Sequence, residues 1–262
     1  MIQRMRLNIL RFDSLPSTNT EAARQAARGA PEGLCIVAGE QTEGRGRQQR
    51  VWLSPPGAGL YFSIVLRPRL DARLWPLITL MSSLAVADAL SEACQLETDI
   101  KWPNDVLANG RKVCGILAET VETENGRAVI VGIGINLKQG AFPAELKDVA
   151  TSVEAEVGSA PVLEELLRSL THSIARRYDA LHQSTGAAEL LGEWSARSSY
   201  AEGMRVRVAL EGETLEGITR GLASDGALRV ETDAGEIRIV RAGDVTALRR
   251  KGLEKDERRD AE

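Results

Sequence analysis

Two Asn-Gly dipeptides, Asn109-Gly110 and Asn125-Gly126, punctuate the stretch from 99 to 137. Asn and Gly tolerate the left-handed backbone that a primed two-residue turn requires, so each pair marks a hairpin. The flanking segments are Asp99 to Trp102 with its continuation through Leu107, Val113 to Val121, and Arg127 to Leu137. Strands joined this tightly pair side by side in opposite directions. The sheet is therefore expected to be largely antiparallel here.

Other segments fill in an α+β pattern. Gly59 to Leu66, GLYFSIVL, reads as a strand by its aromatic and β-branched content, and Pro68 stops it. Leu74 to Cys94 places Leu77, Leu80, Leu84, Val86 and Leu90 at helical spacing, and Pro161 to Leu181 forms a second amphipathic helix after a polar stretch. A further helix starts at Ser17 or Thr18, where Thr18 and Glu21 have capping-box spacing, and ends at Gly29. Leu34 to Ala38 is a short strand, while Gly39 to Arg50 has no period and reads as a mobile loop. Beyond Trp194 come short strands with close-set glycines, a pattern that suggests a small barrel of about five strands from 201 to 250. The tail from 251 to 262 is charged and nearly free of apolar residues, as expected of a solvated end.

At 262 residues and 43% hydrophobic content, the chain can bury a core as one large or two smaller domains, which excludes disorder or a fibre. Lys+Arg 33 against Asp+Glu 37 gives a net charge of -4, without the basic excess of a nonspecific nucleic-acid binder. Cys35, Cys94 and Cys114 are widely separated and lack metal-ligand spacing with His172 and His182, so reduced thiols are expected. No apolar signal region and no run of 18 apolar residues is present, which makes a soluble cytoplasmic protein the default expectation.

Two runs carry the chemistry. GEQTEGRGRQQRVW, from Gly39 to Trp52, offers backbone donors at Gly44 and Gly46 and guanidinium groups at Arg45, Arg47 and Arg50. That combination suits an anion clamp. KWPNDVLANGRKVCGILAE, from Lys101 to Glu119, puts a lysine at a strand end, with Pro103 biasing Trp102 toward an extended backbone. Asn104 and Asp105 read as turn residues, and no metal ligands are assigned to them.

Together with SLPSTNTEA at 14 to 22, VGIGINL at 131 to 137 and GITRGLASDGALRVET at 217 to 232, these blocks resemble the biotin protein ligases, in the family's order and over most of the chain. The resemblance implies a mixed-sheet, class II synthetase-like catalytic domain over 1–200 and an SH3-like barrel over 201–250. It implies that biotin's carboxylate attacks the α-phosphate of ATP, used as its Mg2+ complex, and that the biotinyl-5'-adenylate is then attacked by a lysine of a biotin carboxyl carrier domain. Lys101 and Arg47 would be catalytic. Ser17, Thr18, Asn19, Gln41, Arg45, Gly46, Arg47 and Lys101 would bind biotin, and Arg47, Arg50, Trp52, Lys101, Gly132, Gly134 and Asn136 would bind ATP or the adenylate. Gln48 and Gln49 depart from the Arg-Gly found in some members. Two rivals are the lipoate ligases, which share the fold and half-reactions, and the family's DNA-binding regulators, for whose helix-turn-helix the 16 residues before Ser17 are too few. A homodimer is possible, and neither DNA nor membrane is an expected partner.

Overall fold

The computed structural model describes residues 5–139 and 143–248; the expected charged tail lies outside the described residues. The larger sheet has seven strands in the order β1-β2-β3-β7-β6-β5-β4. These are β1 Asn8–Leu15, β2 Leu34–Gln41, β3 Gly59–Leu66, β4 Asp99–Lys101, β5 Asp105–Ala108, β6 Arg111–Thr123 and β7 Gly126–Asn136. The double hairpin is present as β5-β6-β7, with Asn109 and Gly110 both at positive φ as a primed turn requires; the second turn is not of that type, because Thr123 pairs with Gly126, the turn residues are Glu124 and Asn125, and of the Asn125-Gly126 pair only Gly126 has positive φ. Only β1 and β2 run parallel, which makes the sheet mixed.

Several elements differ from expectation. β1 gave no strand signal because it is a half-exposed edge whose polar residues do not alternate cleanly. β2 continues three residues past Ala38, where Glu40 and Gln41 still pair with β1. Helix α1, Thr18–Ala27, has Ser17 as N-cap but no capping box, because the Glu21 carboxylate takes Arg24 and Gln25 instead. Helix α2, Pro76–Cys94, follows a 3-10 turn at Ala72–Leu74, in which the Arg73 backbone N–H donates to the Asp71 side chain. α3 Val153–Val157 and α5 Gly186–Ala196 flank α4, Leu163–Leu181, and were not anticipated; both are short, and Gly192 weakens the pattern of α5.

The stretch Ala72–Cys94 is long and apolar enough to cross a membrane by composition, but two-thirds of it is buried inside the protein. It is hydrophobic on every side because α2 lies between the sheet and α4 and α5. Its half-buried carboxylate, Asp88, accepts hydrogen bonds from Ser173 at 2.7 Å, Arg176 at 2.9 Å, Arg177 at 2.7 and 3.0 Å and Arg197 at 2.6 Å. Burial pushes this carboxyl up, but the Arg177, Arg197 and Ser173 hydrogen bonds outweigh it and bring it from 3.8 down to about 2. Its contribution to stability is therefore full above its unfolded value and is lost as pH falls through about 2. Asp88→Ala leaves the buried Arg177 with Glu193 alone, so it is expected to cost about 3 kcal/mol in a urea titration at pH 7. The difference between variant and parent should shrink once the pH is acid enough to protonate Asp88 in the parent.

The remaining strands, β8 Glu202–Ala209, β9 Thr214–Leu222, β10 Leu228–Glu231, β11 Ile237–Val240 and β12 Asp244–Ala247, form an antiparallel sheet in the order β11-β10-β9-β8-β12. Its loop at 223–227 wedges against the larger sheet and α2: Gly226 accepts a hydrogen bond from Trp102 Nε1 at 3.0 Å, and a Cβ there would come within 2.9 Å of Leu77 and 3.0 Å of Leu80.

Candidate active site

The α2 face of the large sheet is core; on the other face α1 covers β2, β3 and β7 through Ala22 and Ala26. What α1 leaves open is the site. Residues paired across neighbouring strands share a face. Register links Tyr61, Gly134, Gly115, Asp105 and Lys101 in one row across five strands, and Ser63, Gly132 and Leu117 in the adjacent row. Lys101 is thus placed beside a floor of paired glycines.

At one end of this floor lies a polar pocket. Gln41 Oε1 accepts from the Thr18 backbone N–H at 2.8 Å and from Thr18 Oγ1 at 3.1 Å, while Gln41 Nε2 donates to Ser54 Oγ at 2.8 Å. Ser63 Oγ lies 2.8 Å from Thr18 Oγ1 and 2.7 Å from Asn19 Oδ1. Asn19 Nδ2 donates to Glu119 at 2.7 Å, and Arg45 reaches the same carboxylate at 3.1 Å. Ser17, Thr18 and Asn19 are all buried, and Thr18 and Asn19 from the helix start meet Gln41 from the β2 end in one network, which Ser17 does not join through its side chain. The sequence did not single out Ser54, Ser63 or Glu119, since an isolated serine or glutamate in a strand carries no signal.

At the other end Trp52 lies flat on the glycines: a Cβ on Gly134 would fall 2.5 Å from its indole atoms, and one on Gly115 would fall 3.0 Å away. Its Nε1 is buried and lacks a hydrogen-bond partner among the described residues. Gly132 is crossed by the Asn19 amide rather than left open, with Oδ1 2.2 Å from where a Cβ would stand. Asn136 Nδ2 donates to the Thr151 carbonyl at 3.0 Å and the Lys112 carbonyl at 3.4 Å, holding two loops beside Trp52.

Between these ends stands the loop, here folded as a tight hairpin. Gly46 N–H donates to the Arg50 carbonyl at 2.7 Å, Trp52 N–H to the Gly44 carbonyl at 2.9 Å, and Thr42 and Glu43 bind the Leu15 and Pro16 carbonyls. Gln48 and Gln49 occupy the left-handed region at φ 53 and 59, a conformation that glycine adopts at less cost. Arg47 donates to Asn104 Oδ1 at 3.1 Å and to the Gly243 carbonyl at 3.3 Å, and lies 3.7 Å from Asp244, which Arg50 also contacts. Burial pushes the Arg47 guanidinium below its ordinary value, against the pull of Asp244 and Asp105. Lys101 Nζ is 3.8 Å from Asp105 Oδ2 and 6.0 Å from the centre of the Tyr200 ring. Asn104 also donates to the Ile116 carbonyl at 2.7 Å, so the adjacent Asn104 and Asp105, expected only to turn the chain, touch both charged groups. Asp244 had no local signal at all, coming from the other sheet. Among the described residues no group of three His, Cys, Asp or Glu side chains could hold a metal ion.

Residues 11–136 match the Biotin/lipoate A/B protein ligase family, and residues 203–246 match the Biotin protein ligase C terminal domain. The chain is 38% identical over 241 residues to the bifunctional ligase/repressor BirA of Bacillus subtilis, spanning 90% of this chain and 73% of that protein. It is 37% identical to the biotin--[acetyl-CoA-carboxylase] ligase of Paracoccus denitrificans over 87% of this chain and 96% of that one. Among solved structures, the biotin protein ligase of Aquifex aeolicus in complex with biotin and ATP superposes with a TM-score of 0.80 at 30% identity, covering 93% of this chain and 99% of that one. The chain belongs to the biotin protein ligases.

Proposed function

We infer that this chain activates biotin with ATP and passes the biotinyl group to a lysine of a biotin carboxyl carrier domain. One observation carries the reading: the Lys101 ammonium and the Arg47 guanidinium stand at the consecutive residues Asp105 and Asn104, at the end of a row of paired glycines that leads to the polar cluster of Thr18, Asn19 and Gln41. Ser17, Thr18, Asn19 and Gln41 offer the donors and acceptors a ureido ring needs. Arg45 and Gly46 line the biotin side. Trp52 and Asn136 flank the adenine, with Gly134 making room for the Trp52 indole and Gly132 for the Asn19 amide.

In the first step the biotin carboxylate oxygen attacks the α-phosphorus and the bond to the bridging oxygen of pyrophosphate breaks. Two anions must approach each other. The Lys101 ammonium and the Arg47 guanidinium lower that repulsion and stabilise the charge spread in the transition state. A magnesium ion accompanying the nucleotide would supply charge neutralisation at the pyrophosphate, and Arg50 would stand at its edge. In the second step a neutral carrier ε-amine attacks the biotinyl carbonyl; an amide forms, AMP leaves, and the amine loses a proton. Positions 1–200 form the catalytic domain and 201–250 an SH3-like barrel; support for the latter comes from its five antiparallel strands and the family match. Gly243 and Asp244 let this second unit hold the loop arginines until an anion displaces them.

The test is isotope exchange between pyrophosphate and ATP by the purified chain. Exchange is expected with biotin and not with lipoate or octanoate, and addition of a biotin carboxyl carrier domain should give a product 226 Da heavier (the added biotinyl group). Exchange driven equally by lipoate would overturn the reading.

A further inference from the structure

One carboxylate oxygen ties the polar pocket to the loop above it. Glu119 follows Leu117 by two residues on β6, so both face the site, and its pairing partner Ile130 belongs to the apolar cluster under α1. Glu119 Oε2 accepts from Asn19 Nδ2 at 2.7 Å and from Arg45 at 3.1 Å, the first on the buried helix start and the second on the loop. A carboxylate can only accept, so Asn19 has to turn its amide nitrogen toward it. That nitrogen also reaches the Leu117 carbonyl at 3.3 Å, and the Asn19 oxygen is left to Ser63 Oγ, which donates to it at 2.7 Å. Arg45 has less choice. Besides Glu119 its side chain reaches the Thr20 hydroxyl at 3.5 Å, too long for a strong hydrogen bond. Its backbone pairs with Val51, which makes Arg45 part of the base of the loop's hairpin.

We propose that Glu119 is a positioning residue for biotin: its carboxylate fixes the orientation of the Asn19 amide and, through Arg45, fastens the base of the loop over the same pocket. The proposal rests on the reading of the site as biotin-activating. An amide in place of the carboxylate can present an N–H to Asn19 Oδ1, so the Asn19 amide is free to turn over. It also leaves Arg45 without its anion, and the loop can lift from the pocket while Arg47 and Arg50 stay held at Asp244. Biotin then binds more weakly, and the adenylate, once made, escapes sooner. Lys101 lies two strands away on β4, so the step on bound biotin keeps its rate.

The experiment compares the full chain with its Glu119→Gln and Arg45→Ala variants and with the double variant. Two quantities are read: the KM for biotin in pyrophosphate exchange into ATP, and the rate at which labelled biotinyl-adenylate leaves the chain in a chase with the unlabelled compound. Glu119→Gln is expected to raise the KM for biotin roughly 10-fold and to speed escape by a similar factor, the worth of one charge-assisted hydrogen bond. The KM for ATP and the rate of adenylate formation at saturating biotin should stay near the parent. In the double variant the escape rate should fall short of the product of the two single effects, since both changes open one link. A carboxylate that only braces the sheet would lower the urea midpoint of Glu119→Gln and leave the KM for biotin and the escape rate alone. The proposal is overturned if Glu119→Gln holds biotin and adenylate as the parent does, or if the two single effects multiply in the double variant. Should Glu119→Gln lose the fold, Glu119→Asp keeps the charge but withdraws it by one methylene, so that it cannot serve Asn19 and Arg45 together, and is read the same way. Absence of biotin-dependent exchange in the parent chain would instead sink the reading of the site, so the two failures are distinct.

Discussion

Lys101→Ala is expected to lower single-turnover biotinyl-adenylate formation by at least roughly 100- to 1,000-fold, the scale seen when one preorganised donor to a developing charge is removed. Stability should hardly change. The side chain is 22% exposed and its carboxylate neighbour stands 3.8 Å away, so the lost ion pair is worth less than about 1 kcal/mol. Lys101→Arg should also be slow, because a planar guanidinium cannot occupy the place of a compact ammonium at the end of β4. Rate and stability must therefore part company. A Lys101→Ala chain that makes adenylate at the parent rate, or one whose urea midpoint collapses along with the rate, would show that this lysine supports the sheet rather than the chemistry.

Much of the central sheet was legible because its signals are local. Gly59 to Leu66 was recovered at both ends, since its apolar run is bounded by Gly and Pro. The hairpins around Asn109 and Asn125 were placed by turn chemistry that depends on two residues at a time. β1 was invisible for the opposite reason: it is stabilised by a parallel partner 26 residues downstream, Asn8 opposite Leu34, and its own side chains bury little. α5 is similar. Its anchor, Trp194, is fully buried with Nε1 bound to Ser83, but a short segment containing Gly192 does not show the helix that delivers it.

The site divides along the same line. Residues contributed by a contiguous motif, such as Arg45 to Arg50 or Lys101, stand out because their types are unusual for their positions. Residues recruited across the fold do not. Asp244 meets Arg50 from 194 positions away, and Glu119 meets Asn19 from 100. Lys112 sits inside a quoted motif and was still passed over: the pairing of β5 with β6 slips between Val106 and Leu107, and strand alternation cannot forecast such a bulge. The glycines of VGIGIN were expected to bind ATP or the adenylate; in this structure the space over them holds Asn19 and Trp52, side chains of the protein itself.

That occupancy gives Gly132→Ala and Gly134→Ala different expected consequences, although they are the same chemical change two residues apart on one strand. At 132 the new methyl group falls 2.2 Å from Asn19 Oδ1 and 2.9 Å from its Cγ. Asn19 cannot retreat cheaply: it is buried, its amide donates to Glu119 and its oxygen accepts from Ser63. The polar pocket has to open, so the KM for biotin should rise by about 100-fold while the affinity for ATP changes little. At 134 the methyl falls within 2.5 Å of the Trp52 indole. Trp52 sits on a loop held by a few backbone hydrogen bonds, so it can lift away, but no flat ring, indole or adenine, can then lie on the sheet at that point. Here the KM for ATP should rise by a similar factor, about 100-fold, with biotin binding spared. Calorimetric titration of each variant with each ligand separates the two. Equal losses for biotin and ATP in both variants would mean that the floor is one undivided surface, and that the polar pocket and the ring site do not lie at its opposite ends.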